Sequence, residues 1–320
     1  MMPRAIALAA AVTALAAAAG CGFGPGEAVP GEASLRVTRE FGAVPMVAAT
    51  LEDPAETDTV VRFLDAHADL ETSYGDNFVD SIDGYAGSTA GGGDEDWFFF
   101  VNGYWSDVGS GERRVLAGDR IWWDYRYWQA AYRVPAVVGS WPEPFLHGEG
   151  GDPPSVVVQC LTSRADCEPA GAALAAAGVD ARTIAPAAPR SAPGSLRLLV
   201  GPWGEIRDDP AARSIESGPG ESGVYATFGR CRGELALTVE DERGRPALRL
   251  DDAALIAAVR RGEEQPTWVV TGTDAPAAGA AAAALGSGVL RDRYAVALAD
   301  GRVQPVPAAA PAEAPEARCP

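Results

Sequence analysis

The side chains best suited to chemistry are few in this 320-residue chain: two His, five Cys and eight Trp. Imidazole can carry protons or hold a metal ion, and thiols can bind zinc or form disulfides. His67 falls one helical step from Leu64 and Val60, a spacing that reads as a packed or flanking histidine and not a cobalt or zinc ligand. His147 stands in a connecting segment with no near partner in sequence. No CxxC pair occurs, so no zinc site is expected. Gly91-Gly92-Gly93-Asp94-Glu95-Asp96 is an acidic loop that could hold calcium. It lacks the alternating oxygen-ligand spacing of an EF-hand and reads as a solvated turn. No GxSxG elbow is present, and two His leave little from which to build a nucleophile and base. No catalytic residue and no metal ligand is therefore predicted.

The aromatic residues carry more information. Of 25 (8 Trp, 8 Tyr and 9 Phe), 13 fall between Trp97 and Trp141, six of them Trp. In the run from Ile121 to Trp128, Ile121, Trp123, Tyr125 and Tyr127 share one strand face, while Trp122, Asp124, Arg126 and Trp128 share the other. The first set reads as core and the second as the wetter face. Tyr104 and Trp105 follow the Asn102-Gly103 turn pair. Half-exposed aromatic rings offer flat contact area at low entropy cost. Tyr104, Trp105, Trp122 and Trp128 are therefore the candidate ligand-binding residues, for a flat small molecule or a partner protein.

Two modest domains, behind a targeting segment, are expected from the length. Residues 1–20 carry one positive charge, Arg4, then an Ala-rich run ending Ala18-Ala19-Gly20-Cys21. That pattern predicts a lipoprotein signal with Cys21 as the lipid-bearing residue and 21–33 as a flexible tether. An ordinary secretory signal cut near Ala19 is the alternative. No other stretch is long and apolar enough to cross a bilayer, so the expected location is the extracytoplasmic face of the cell membrane. The formal charge of −18, with no Lys at all, excludes nucleic acid as a partner. In that compartment Cys160, Cys167, Cys231 and Cys319 can pair in three ways. Cys160 with Cys167 is favoured, because a strand end and the start of the next helix can lie close. Cys319 can pair with Cys231 or stay free.

Composition breaks place a first domain at 34–141, a linker at 142–154, a second domain at 155–304 and a Pro/Ala tail at 305–320. In the first, two strands precede a helix starting at Asp53-Pro54-Ala55-Glu56, a capping-box pattern, and running to about Asp69. Several strands follow. In the second, strands at 155–158, 196–200, 224–228, 235–239, 268–270 and 294–298 mingle with helices at 169–177, 253–260 and 275–285. The expected class is α+β: a small roll with a helix across its sheet, then an α/β sandwich with a mixed sheet.

The ordered pattern Gly75-Asp76-Asn77-Phe78-Val79-Asp80-Ser81-Ile82-Asp83-Gly84, Trp97-Phe98-Phe99-Phe100-Val101-Asn102-Gly103, Gly109, Gly111 and Gly118-Asp119-Arg120-Ile121-Trp122-Trp123-Asp124-Tyr125 resembles the C-terminal domain of transcobalamin and intrinsic factor in its bacterial lipoprotein versions. The resemblance covers roughly Leu35 to Tyr127. It implies a β-grasp-like fold and one wall of a cobalamin site. The helical barrel that forms the other wall in the vertebrate members has no counterpart here. The leading expectation is a lipid-anchored binding protein catching a cobalamin-like or other flat small molecule for an importer. The rival is an envelope interaction module without a small ligand, and a hydrolase in the second domain is a distant third.

Overall fold

A computed structural model of the chain describes residues 27–184, 194–231 and 233–310. The signal segment, Cys21 and Cys319 lie outside the described residues. Mixed α/β architecture with a preponderance of strands is built from four sheets.

The first half contains β1 (Glu32–Arg39), β2 (Val44–Glu52), α1 (Val60–Asp65), β3 (Leu70–Ser73), β4 (Phe78–Ile82), β5 (Tyr85–Ala86), α2 (Ser88–Gly91), β6 (Glu95–Val101), β7 (Tyr104–Trp105) and β8 (Arg120–Tyr127). Five strands form one sheet in the order β2-β1-β8-β6-β7, with β1 and β8 parallel at its centre. Strands β3, β4 and β5 form a small separate sheet. Val60, Phe63 and Leu64 of α1 pack on Leu35, Val37, Phe99, Ile121 and Trp123, so alternation along β8 does place Ile121 and Trp123 in a core, as read from the sequence.

The helix is shorter than the capping-box pattern suggests and starts at Val60 after Thr59. The Asp53 carboxylate, expected as its N-cap, instead accepts from the Gly31 amide, while Ala55 bridges Ala28. The segment expected as tether is thus joined to the first half from Ala28 onward.

The second half contains β9 (Val156–Cys160), α3 (Arg164–Ala176), β10 (Ala181–Ile184), β11 (Leu196–Pro202), α4 (Trp203–Ile206), α5 (Pro210–Glu216), α6 (Pro219–Ser222), β12 (Ala226–Cys231), β13 (Glu234–Glu240), β14 (Pro246–Leu250), β15 (Ala253–Val259), β16 (Thr267–Gly272), α7 (Ala275–Ala284), β17 (Ala295–Ala299) and β18 (Arg302–Val306). Seven strands make a mixed sheet, β10-β9-β11-β16-β15-β17-β18, and β12-β13-β14 form a small antiparallel one. Helices α3 and α7 cover one face of the large sheet. The predicted disulfide joins Cys160 at the end of β9 to Cys167 in α3.

One element corrects the sequence reading. Residues 253–260 are expected as a helix, but 253–259 form the interior strand β15, between β16 and β17. Ala254, Ile256 and Ala258 face the α3/α7 side, and Ala253, Leu255, Ala257 and Val259 face the opposite core. A strand buried on both faces shows no alternation, so an Ala-rich run of this length is ambiguous in period and takes the state its neighbours impose.

The two halves share a core. Phe41, Phe100 and Trp122 of the first pack with Tyr225, Leu237, Leu255 and Tyr294 of the second. The connecting stretch is also packed: Phe145 is buried against Trp268. Its His147, which has no evident partner by sequence reasoning, contacts Glu143 Oε1 through Nδ1 at 2.6 Å. The Pro/Ala segment stays engaged through Ala308, whose amide donates to the Glu240 carbonyl.

Candidate functional site

Strand β6 has an incomplete neighbour. β8 flanks its whole length, but β7 pairs only with Phe100 and Val101, because the Asn102-Gly103 turn is followed by a strand of two residues. The Ser106 amide still reaches the Phe99 carbonyl at 3.2 Å, but the edge at Asp96–Phe98 is left without a strand, and Asp96 Oδ1 caps the outward Trp97 amide at 2.9 Å. A cleft of about 180 Å³ opens there, between β6 and β4. Its walls include Phe78, Phe98, Trp105, Val108 and Tyr132.

The wall residues are held by identifiable contacts. Tyr132 stands edge-on to Phe98, Trp105 and Trp128, with ring centroids 5.9, 6.1 and 5.9 Å apart. The Arg133 guanidinium lies 4.7 Å over the Trp105 ring and pairs with Asp107 at 2.7 Å. Behind the cleft, Phe99 and Trp123 stack at 4.6 Å. The floor explains two glycines of the ordered pattern. A Cβ at Gly109 or Gly111 would stand within 3.0 Å of Asn77 atoms, so a side chain at either position would displace the segment leading into β4. Tyr132 is 62% exposed and Val108 47%, which leaves an apolar, aromatic rim facing solvent.

The four candidate residues separate. Trp105 lines the cleft. Trp128 is half-buried and backs Tyr132 from outside the cleft lining. Tyr104 is buried, its hydroxyl donating to Gln265 Oε1 at 2.6 Å; burial, and after it the Glu149 carboxylate, raises that phenol above its ordinary range. Trp122 is buried too, with Nε1 donating to Thr38 Oγ1 at 2.7 Å.

The expected wetter face of β8 is therefore corrected: it is the seam between the halves. Asp124 and Arg126 are buried on it. Arg126 donates to the carbonyls of Ala131 and Tyr132 at 2.8 and 2.9 Å and stands 3.9 Å over the Phe98 ring. It thereby fixes the backbone that presents Tyr132. Tyr132 is not among the candidates read from the sequence: it lies in the irregular segment after β8, where no periodicity marks a face.

A crevice of about 780 Å³ near the start of β11 is lined by Arg197, Asp209 and Arg261. Its Arg197 is already held by Asp209 at 2.5 and 2.7 Å and by Gln159 at 3.0 Å. Among the described residues no group of three or more His, Cys, Asp or Glu is arranged to hold a metal ion. In the acidic loop, Asp94 accepts from Gln129 and Asp96 from Ser88 and Trp97.

Residues 57–126 match a family described as "Domain of unknown function (DUF4430)", a stretch that contains most of the cleft. No curated protein matches the chain. Among solved structures, similarity is found to a "putative metal binding protein" from Ruminococcus gnavus ATCC 29149, at 12% identity and a TM-score of 0.24, over 30% of this chain and 97% of that one. A likeness that weak carries no argument about what this chain binds.

Proposed function

We propose that this protein is a non-enzymatic binding protein of the cell exterior, tethered through Cys21, whose β6 cleft receives a flat, apolar small molecule for delivery to an importer. The supporting observation is the half-exposed aromatic wall of Trp105 and Tyr132 beside a solvent-open cleft. The strand order β2-β1-β8-β6, with a parallel central pair and α1 across one face, supports the β-grasp-like reading of the first half.

Size narrows the ligand. An apolar cavity of about 150 Å³ accepts benzene, so about 180 Å³ suits one ring or a small fused pair. A cobalamin-like molecule would engage this cleft only through an edge or an appended ring. Titration of the mature protein with indole, naphthalene and corrinoids, followed by tryptophan fluorescence and calorimetry, tests the reading. Saturable binding that Trp105→Ala weakens about tenfold or more is the expected result; no binding by any of them at high micromolar concentration contradicts it.

A second reading is favoured by the exposure of Tyr132 and Val108 at the rim, which suits an aromatic or aliphatic side chain of an envelope protein. On that reading, Tyr132→Ala abolishes capture of one membrane partner while free aromatic compounds do not bind.

A further inference from the structure

We propose that Asp124 acts as a proton-operated clasp between the two halves of the molecule: protonation tightens the seam and ionisation loosens it. The carboxyl group is fully buried. It draws together three segments, accepting from Thr38 Oγ1 of β1 at 2.6 Å, from the Gly42 amide in the β1–β2 turn at 3.1 Å, and from the Tyr294 hydroxyl of the second half at 3.1 Å. Thr38 in turn accepts from Trp122 Nε1. The polar chain therefore runs across the seam inside a ring of aromatic residues, Phe41, Phe100, Trp122 and Tyr294.

Among the described residues no cation pairs with Asp124. The one charged group acting on it is Arg126 of the same strand, whose guanidinium is committed to backbone carbonyls. From the second half, the titratable and charged groups at this seam are Tyr294, Tyr225 across Phe41, Glu240 and Glu242 acting on Tyr225, and at the rim beside Gly42 Asp292, paired with Arg36, and Arg293. Three good hydrogen bonds favour the ionised form, but removal from water outweighs them and pushes the Asp124 carboxyl up to about 6. Were the seam to open, the group would return to the ordinary carboxylate range. Lowering the pH through 6 therefore favours the closed seam, and raising it removes that advantage.

The seam is built for close registry and local opening would be detectable. A Cβ at Gly42 would meet the Asp292 carbonyl at 1.9 Å, and Arg36 pairs with Asp292 across the same boundary. The test is amide hydrogen exchange at Gly42 and Asp292 in the full mature chain, corrected for intrinsic rates, at pH 5 and pH 8. The expected protection is about tenfold higher at pH 5, as one unit of proton linkage requires. With the other raised carboxyl near the seam removed by Glu240→Gln, the tenfold difference is expected to remain, and Asp124→Asn in that same background is expected to erase it. Tyr294→Phe, which removes one donor to the carboxylate, is expected to move the midpoint to higher pH. Equal protection of the unaltered protein at both pH values overturns the proposal, as does an Asp124→Asn protein that retains the tenfold change. If Asp124→Asn does not fold, an unmoved midpoint in Tyr294→Phe overturns it.

Discussion

Trp105 and Tyr132 differ from Tyr104 and Trp122 in what lies over them, although all four are aromatic residues in or near the same short sheet. Solvent meets the first pair; Gln265, Arg260 and Tyr294 of the second half cover the other. Residue type and alternation identify two faces of β8 but carry no information on what covers the second face, because the covering residues lie more than a hundred positions away. The core assignment of Ile121 and Trp123 is legible because alternation alone puts them on one face of the strand, the face that α1 and β1 of the same half cover. Buried acids follow the same logic. Glu240 is buried with Oε2 unpartnered, and burial, helped by the Asp241 carboxylate, pushes its carboxyl up to about 7. A carboxyl whose folded value is raised weakens the fold as pH rises from its ordinary range to that raised value, and by a constant amount above it. Glu240→Gln is therefore expected to stabilise the protein by about 2 kcal/mol at pH 8 and by much less at pH 5, measured as the difference in urea midpoints.

At the scale of elements, the strands with clear punctuation were readable and those without it were not. β6 ends at Asn102-Gly103, where φ values of 54° and 80° make the tight turn the residue pair suggests. Helix α3 and the Cys160–Cys167 bridge follow from the same kind of local evidence, although the helix starts earlier, at Arg164, because Ser163 caps it through the Asp166 amide. β15 failed because alanine marks neither face, and its state is decided by β16 and β17. The strand's interior position gives a quantitative expectation. Ile256 is fully buried, so Ile256→Ala should cost about 2–5 kcal/mol through lost contacts and an unfilled cavity. On the helical reading of 253–260 a partly exposed site would lose about 1 kcal/mol or less. Thermal or denaturant unfolding of the variant distinguishes the two.

On the scale of the whole molecule, the composition breaks at 142–154 and 305 are real changes in sequence but not gaps in packing. Phe145, Val306 and Ala308 are buried, and one aromatic core runs from Phe41 to Tyr225 and Tyr294. The first half therefore cannot be treated as a free module carrying its own two-sided aromatic strand. One side of that strand is consumed in joining the halves, and the surface proposed for binding is what remains: the open edge of β6 with Trp105 and Tyr132. The size and aromatic character of the cleft are set by the fold. The most direct measurement is tryptophan fluorescence of the mature chain titrated with indole-sized aromatic compounds, repeated with Trp105→Ala. Saturable binding in the unaltered protein, weakened about tenfold or more by the substitution, is the predicted outcome; no saturable binding, or equal binding by both proteins, would contradict a ligand site at this cleft.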